Sequence, residues 1–235
     1  MRTLVIFIFF ILGQISFGQT EIGQFAVVSD KDGYVNIRRF PEIQGQIIDT
    51  LHNRQIVYCT DISNDWCSVD YHLSKDIPET GNIHKSRLIF IDRFDKFPMT
   101  NKTDEAVEFK LDTLKLTISK VQFNRFLNKL KFRKSAPDSK TEDYLESING
   151  KMIWGTDGDL PKTQYGQFLL EIGSKKINLP INNIFDPNLN QTSVSIDKKT
   201  NTIYIVADNS DGAGGYSVLW VLIDGRFTQQ ITDKM

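Results

Sequence analysis

Tyr34-Val35-Asn36-Ile37-Arg38-Arg39-Phe40-Pro41 decides how the first part of this 235-residue chain folds. Val35 and Ile37 fall on one face of an extended segment, and Tyr34, Asn36 and Arg38 fall on the other. That is the period of a strand with one face in a core and the other open to solvent. Asp30-Lys31-Asp32-Gly33 before it reads as a turn, and Phe25 to Val28 as the preceding strand. Pro41 ends the run, because proline has no N–H to give to a ladder. Outward from this stretch, Ile47-Ile48, Ile56 to Tyr58, Trp66 to Val69 and Ile83-His84 continue a series of short strands. Strands so closely spaced predict a small, strongly bent β-barrel.

The two cysteines, Cys59 and Cys67, lie in the segment from Ile56 to Val69, around the turn residues Ser63, Asn64 and Asp65. The segment reads as a hairpin in which the two face each other across the ladder. In an oxidising compartment a Cys59–Cys67 disulfide is the expected outcome, and it would stabilise a small barrel by about 2–3 kcal/mol.

The Tyr34–Pro41 stretch, together with Ile48, Thr50 and Leu51, Trp66, and Gly81-Asn82-Ile83-His84-Lys85-Ser86-Arg87-Leu88, resembles the bacterial SH3 (SH3b) signature. The resemblance covers residues 24–92 or so. It implies a small SH3-like barrel and, as a function, engagement of cell-wall peptide or glycan. Phe40 and Asp49 stand where that family usually has glycines, Arg54 where a turn glycine is common, and Leu73 to Thr80 reads as a lengthened loop.

Residues 93–106 turn polar and lose all periodicity, so they read as a linker. Beyond it, Leu114, Leu116 and Ile118 alternate with Lys115, Thr117 and Ser119. Phe168 to Ile172 and Lys176 to Leu179 form a hairpin candidate around Gly173-Ser174, and Val194 to Ile196 pairs with Ile203 to Ala207. Tyr216 to Ile223 meets Phe227 to Ile231 across Asp224-Gly225, the strongest local hairpin signal of the chain. Ser119 to Leu130 and Asn182 to Leu189 suggest brief helix or turn. The expected organisation is mainly β: a signal peptide over 1–18, an SH3-like barrel over 19–92, the linker, and a mainly antiparallel β domain with little helix over 107–235. This last part also resembles an uncharacterised family of secreted bacterial proteins, through Trp154-Gly155-Thr156-Asp157-Gly158-Asp159-Leu160-Pro161, Phe185-Asp186-Pro187-Asn188-Leu189, and Asn209 to Tyr216 followed by Trp220.

Export is read from the first residues. Arg2, an apolar run from Leu4 to Leu12, and the small residues Ser16 and Gly18 form the three parts of a secretory signal, with cleavage expected before Gln19. The run is too short to span a bilayer, so no membrane span is expected and the protein is placed in the periplasm or outside the cell. A net charge of −1 lacks the footprint of a nucleic-acid binder. The basic stretch from Arg125 to Lys134 reads as a solvated strand or turn face.

All three histidines, His52, His72 and His84, precede the linker, and the later part has neither His nor Cys. That excludes Ser-His-Asp or Cys-His catalysis there. Asp157-Gly158-Asp159 and the loop with Asp208 and Asp211 offer oxygen ligands that would suit calcium, although Asp/Gly turns adopt the same residues for backbone reasons. No other cofactor is implied. The expected role is a non-catalytic, exported binding protein of the cell envelope, whose partner is cell-wall peptide or glycan, or an envelope protein. Tyr34, Asn36, Arg38 and Trp66 are its expected ligand contacts. Two other roles fit the residues: an envelope hydrolase using paired aspartates among Asp157, Asp159, Asp208 and Asp211, and an inhibitor or immunity-type protein that plugs a secreted enzyme with the loop from Asp208 to Gly215.

Overall fold

The computed structural model describes residues 23–73, 77–134, 143–210 and 212–234. The expected signal peptide over 1–18 and Asp211 lie outside the described residues. The chain is mainly β, built from antiparallel sheets, with 3-10 turns as the only helical elements among the described residues.

The first unit is a single antiparallel sheet of seven strands: β1 (Gln24–Val28), β2 (Tyr34–Arg38), β3 (Ile47–His52), β4 (Ile56–Ser63), β5 (Trp66–Tyr71), β6 (Glu79–His84) and β7 (Leu88–Phe90). Their spatial order is β3-β2-β6-β5-β4-β1-β7. Alternate residues of every strand meet in one buried cluster, from Leu51 on β3 at one end of the order to Leu88 and Phe90 on β7 at the other. Opposite ends of a sheet can share a core only if the sheet coils over its own inner face, as a small barrel does. Val35 and Ile37 point into that core, while Tyr34, Asn36 and Arg38 point out, as the alternation predicts.

The expected facing of Cys59 and Cys67 is corrected by the register. Ser63 pairs with Trp66 and Ile62 with Cys67, but a bulge at Thr60 brings Cys59 opposite Val69. The cysteines are therefore diagonal neighbours in the barrel core, both buried and both free thiols. Their hydrogen bond, together with burial, pushes the Cys59 thiol up and keeps it protonated.

The second unit is a sandwich. One sheet has the order β15-β14-β11-β10-β9, from β9 (Met99–Lys102), β10 (Ala106–Leu111), β11 (Leu114–Gln122), β14 (Thr163–Ile172) and β15 (Lys175–Asn178). The other has the order β19-β18-β17-β16-β8, from β8 (Asp95–Lys96), β16 (Thr192–Asp197), β17 (Thr202–Asn209), β18 (Tyr216–Ile223) and β19 (Arg226–Lys234). Their inner faces close on Val107, Phe109, Leu116, Ile118, Phe168 and Leu170 from one side and Val194, Ile205, Val218, Trp220 and Leu222 from the other. A small ribbon of β12 (Leu130–Arg133) and β13 (Tyr144–Ile148) covers a lesser cluster around Phe185.

The three hairpins expected in this half are present. Gly173-Ser174 joins β14 to β15, 198–201 joins β16 to β17, and Asp224-Gly225, both at positive φ, joins β18 to β19. The stretch 93–106 carries strands β8 and β9, which pair with β16 and β10. It connects the units as sheet edges rather than as free chain. Every residue of β9 is exposed, so no apolar face imprints a period on it.

Tyr216 to Leu222 are buried without a break, because β18 has a core on each face. Its inward residues fill the sandwich. Leu219 and Val221 on the outer face, with Tyr204 and Ile231 from β17 and β19, pack against Phe25, Val27, Ile56 and Tyr58 of the barrel. The two units are thus welded through an apolar seam.

Candidate functional site

β2 leaves its outer face uncovered beside the tip of the β4–β5 hairpin. Asn64, at φ +49, closes that tip and sets Trp66 as the first residue of β5 with its ring outward, while Cys67 turns in. Trp66 pairs with His84 across β5 and β6, and their rings meet edge to face at 5.3 Å. Tyr34, Asn36, Arg38 and Trp66, chosen from sequence alone, line one cleft of about 330 Å³ together with Asp30, Asp32, Ile43, His84, Ser86 and Arg87. The volume is in the range of small-ligand sites.

Several polar groups of the cleft are held by the fold. The Arg38 guanidinium donates to the Gly45 carbonyl at 2.6 Å, which ties the loop over 39–46 to β2 and holds Ile43, 71% exposed, at the rim. Arg87 pairs with the Asp30 carboxylate. The backbone N–H of Asp32, the stronger influence, and the Arg87 side chain hold the Asp30 carboxyl below its ordinary range. His84 caps the 3-10 turn Lys85–Arg87: its Nδ1 accepts the Ser86 N–H at 3.3 Å and lies 2.8 Å from the Ser86 hydroxyl. With Nδ1 committed as acceptor, the neutral ring carries its proton on Nε2.

The cleft therefore offers two aromatic faces, Tyr34 and Trp66, an amide at Asn36, a guanidinium at Arg38, and the Asp30–Arg87 pair at one wall. Such a set can stack on a flat or sugar-like group and hydrogen-bond amides or carboxylates around it. Sequence reasoning missed Asp30, Asp32, Ile43 and Arg87 as cleft residues. Asp30 and Asp32 carried only a turn signal, and the placement of Ile43 depends on the Arg38–Gly45 bond.

Asp208, half of the candidate metal pair Asp208 and Asp211, sits in a strand instead of the expected loop. It lies within β17, not in a turn, and the strand's alternation aims it at the seam between the units. There its Oδ1 accepts from the Ser217 hydroxyl at 2.5 Å, and Ser217 Oγ lies 3.1 Å from the Tyr58 hydroxyl. Burial raises the Asp208 carboxyl above its ordinary value and pushes the Tyr58 hydroxyl up to about 12. Neighbouring Asn209, fully buried, instead ties the sandwich together through Tyr165 and the Asn188 N–H. The two Asp/Gly loops do meet, with Ser210 donating to the Gly155 carbonyl and Asp157 lying against Gly214. Among the described residues the group with metal-ligand spacing is elsewhere, at Asp49, His72 and Glu79.

Trp220 and Tyr216 form no open stacking platform. Trp220 is fully buried, edge to face with Phe168 at 4.6 Å, and its indole N–H is bonded to the Pro180 carbonyl. In the basic stretch, Lys129, Lys131, Arg133 and Lys134 are solvated, and Phe126 is 90% exposed on its 3-10 turn. No helix among the described residues is long and apolar enough to cross a membrane. Comparison with known protein families, with curated proteins and with solved structures finds no match.

Proposed function

We propose that this chain is an exported, non-catalytic binding protein of the bacterial cell envelope, and that its ligand seat is the cleft on the outer face of β2. One observation carries the reading: Tyr34, Asn36, Arg38 and Trp66 meet in a cleft of ligand-sized volume instead of filling the core. The resemblance to SH3b sequences supports cell-wall peptide or glycan as the ligand. The cleft's chemistry is compatible with either, since aromatic faces suit sugar rings and aliphatic side chains, while Arg38 and Asn36 suit carboxylates and amides. The apolar sandwich, welded to the barrel through the seam at Leu219 and Tyr58, supplies a rigid mount.

The test is co-sedimentation with purified, insoluble cell-wall material. The mature protein should pellet with the wall, and Tyr34→Ala with Arg38→Ala should leave most of it in the supernatant while circular dichroism is unchanged. Equal pelleting of the double variant would overturn the assignment of the cleft.

A further inference from the structure

We infer that Asp49, His72 and Glu79 form a site for a divalent transition-metal cation of the zinc kind at one open end of the barrel. Asp49 pairs with Ile37, and Glu79 pairs with Tyr71. Cross-strand partners share a face of the sheet. Ile37 and Tyr71 belong to the barrel core, so Asp49 and Glu79 occupy inward-facing positions where the barrel's pattern calls for apolar residues. Two acidic residues thus stand close together at positions where that pattern is broken.

His72 supplies the third group. It follows the last residue of β5 at φ +52, a left-handed conformation uncommon for a side chain with a Cβ, and its Nε2 lies 3.1 Å from Asp49 Oδ2. One ligand atom from each of the three residues lies within 4.8 Å of the other two.

The donor set indicates which cation. Calcium and magnesium prefer oxygen alone, whereas one imidazole with two carboxylates suits zinc and its neighbours, with a fourth position left for water. Asp49 and His72 are one-quarter to one-third exposed at their side chains and Glu79 is exposed, so water and ions have access. The site is on the inner-face side of the sheet, whereas Tyr34, Asn36 and Arg38 are on the outer face of β2. It does not depend on the ligand reading above.

The experiment uses tag-free mature protein, stripped with chelator and dialysed, titrated with zinc by calorimetry, and with cobalt by visible absorption. One saturable equivalent is expected, with the intense visible bands of a four-coordinate cobalt site. His72→Ala should weaken binding at least tenfold, and Asp49→Asn and the conservative, exposed Glu79→Gln should each weaken it as well. His84→Ala and His52→Ala should leave it unchanged. If His72→Ala perturbs the fold, Glu79→Gln decides. No saturable binding, or binding that survives Glu79→Gln and Asp49→Asn undiminished, would overturn the site.

Discussion

Trp66 and Trp220 show how differently one residue type can be used within this chain. Trp66 stands at the mouth of the cleft, outside every buried cluster, while Trp220 is fully enclosed between the two sheets of the sandwich. Trp220→Ala is expected to cost about 3–5 kcal/mol of unfolding free energy, the range for a large buried aromatic. Trp66→Ala should cost less, about 1–2 kcal/mol, since Trp66 is only partly buried and belongs to no core cluster. Chemical denaturation of both variants checks the contrast, and equal losses would move Trp66 into the core. A second single-residue prediction concerns Asp233. Its Oδ2 is buried without a hydrogen-bond partner, and burial raises its carboxyl from 3.8 to about 6. A folded-state value above the unfolded one means that the folded form holds the proton more tightly. The stability linked to this group is complete below pH ~4 and falls as pH rises through about 6. Burial likewise raises Asp70 and Asp208, so some slope should remain in Asp233→Asn. Thermal unfolding between pH 4 and pH 8 should show a shallower decline in that variant and a higher melting temperature at pH 8. A steeper decline would contradict the assignment.

Among the elements, the β4–β5 hairpin carries the clearest lesson about register. Its turn at Asn64-Asp65 could be read from residue types, but the bulge at Thr60 could not, because it arises from how the strand bends around the barrel core. That extra residue sets Cys59 opposite Val69 rather than Asp70, while the turn pairs Cys67 with Ile62. Alkylation of the unfolded protein without reductant should therefore label two thiols, as mass spectrometry would show, and an unlabelled, crosslinked species would contradict the register. Alternation made the face of β2 legible, and with it Tyr34, Asn36 and Arg38. The Asp-Gly and Gly-Ser turns made two hairpins legible, because positive φ at such positions selects those residues. Strand β9 left no trace because every residue in it is exposed, and β18 reads as a continuous apolar run because both its faces are buried. The meeting of Asp49, His72 and Glu79 was illegible for another reason: the residues come from separated positions, and only closure of the sheet brings them together.

At the scale of the molecule, the seam around Leu219, Val221, Tyr58 and Phe25 makes the barrel and the sandwich one mechanical body. A seam this apolar predicts that the units unfold together, in one cooperative calorimetric transition. Leu219→Ala, at a fully buried seam position, should cost about 2–5 kcal/mol and begin to separate the transition into two. Two resolved transitions in the unaltered protein would contradict the weld. The central claim, that the outer face of β2 is the ligand seat, is tested most directly by the indole N–H resonances of the three tryptophans. Trp66 lies in the cleft, Trp154 packs against the sandwich core and Trp220 is sealed within it, so each reports on a different place. Titration with soluble cell-wall peptide and glycan fragments should move the Trp66 indole signal in a saturable way and leave Trp154 and Trp220 where they are. A saturable shift at Trp154 with Trp66 unmoved, or no shift at any of the three, would contradict it.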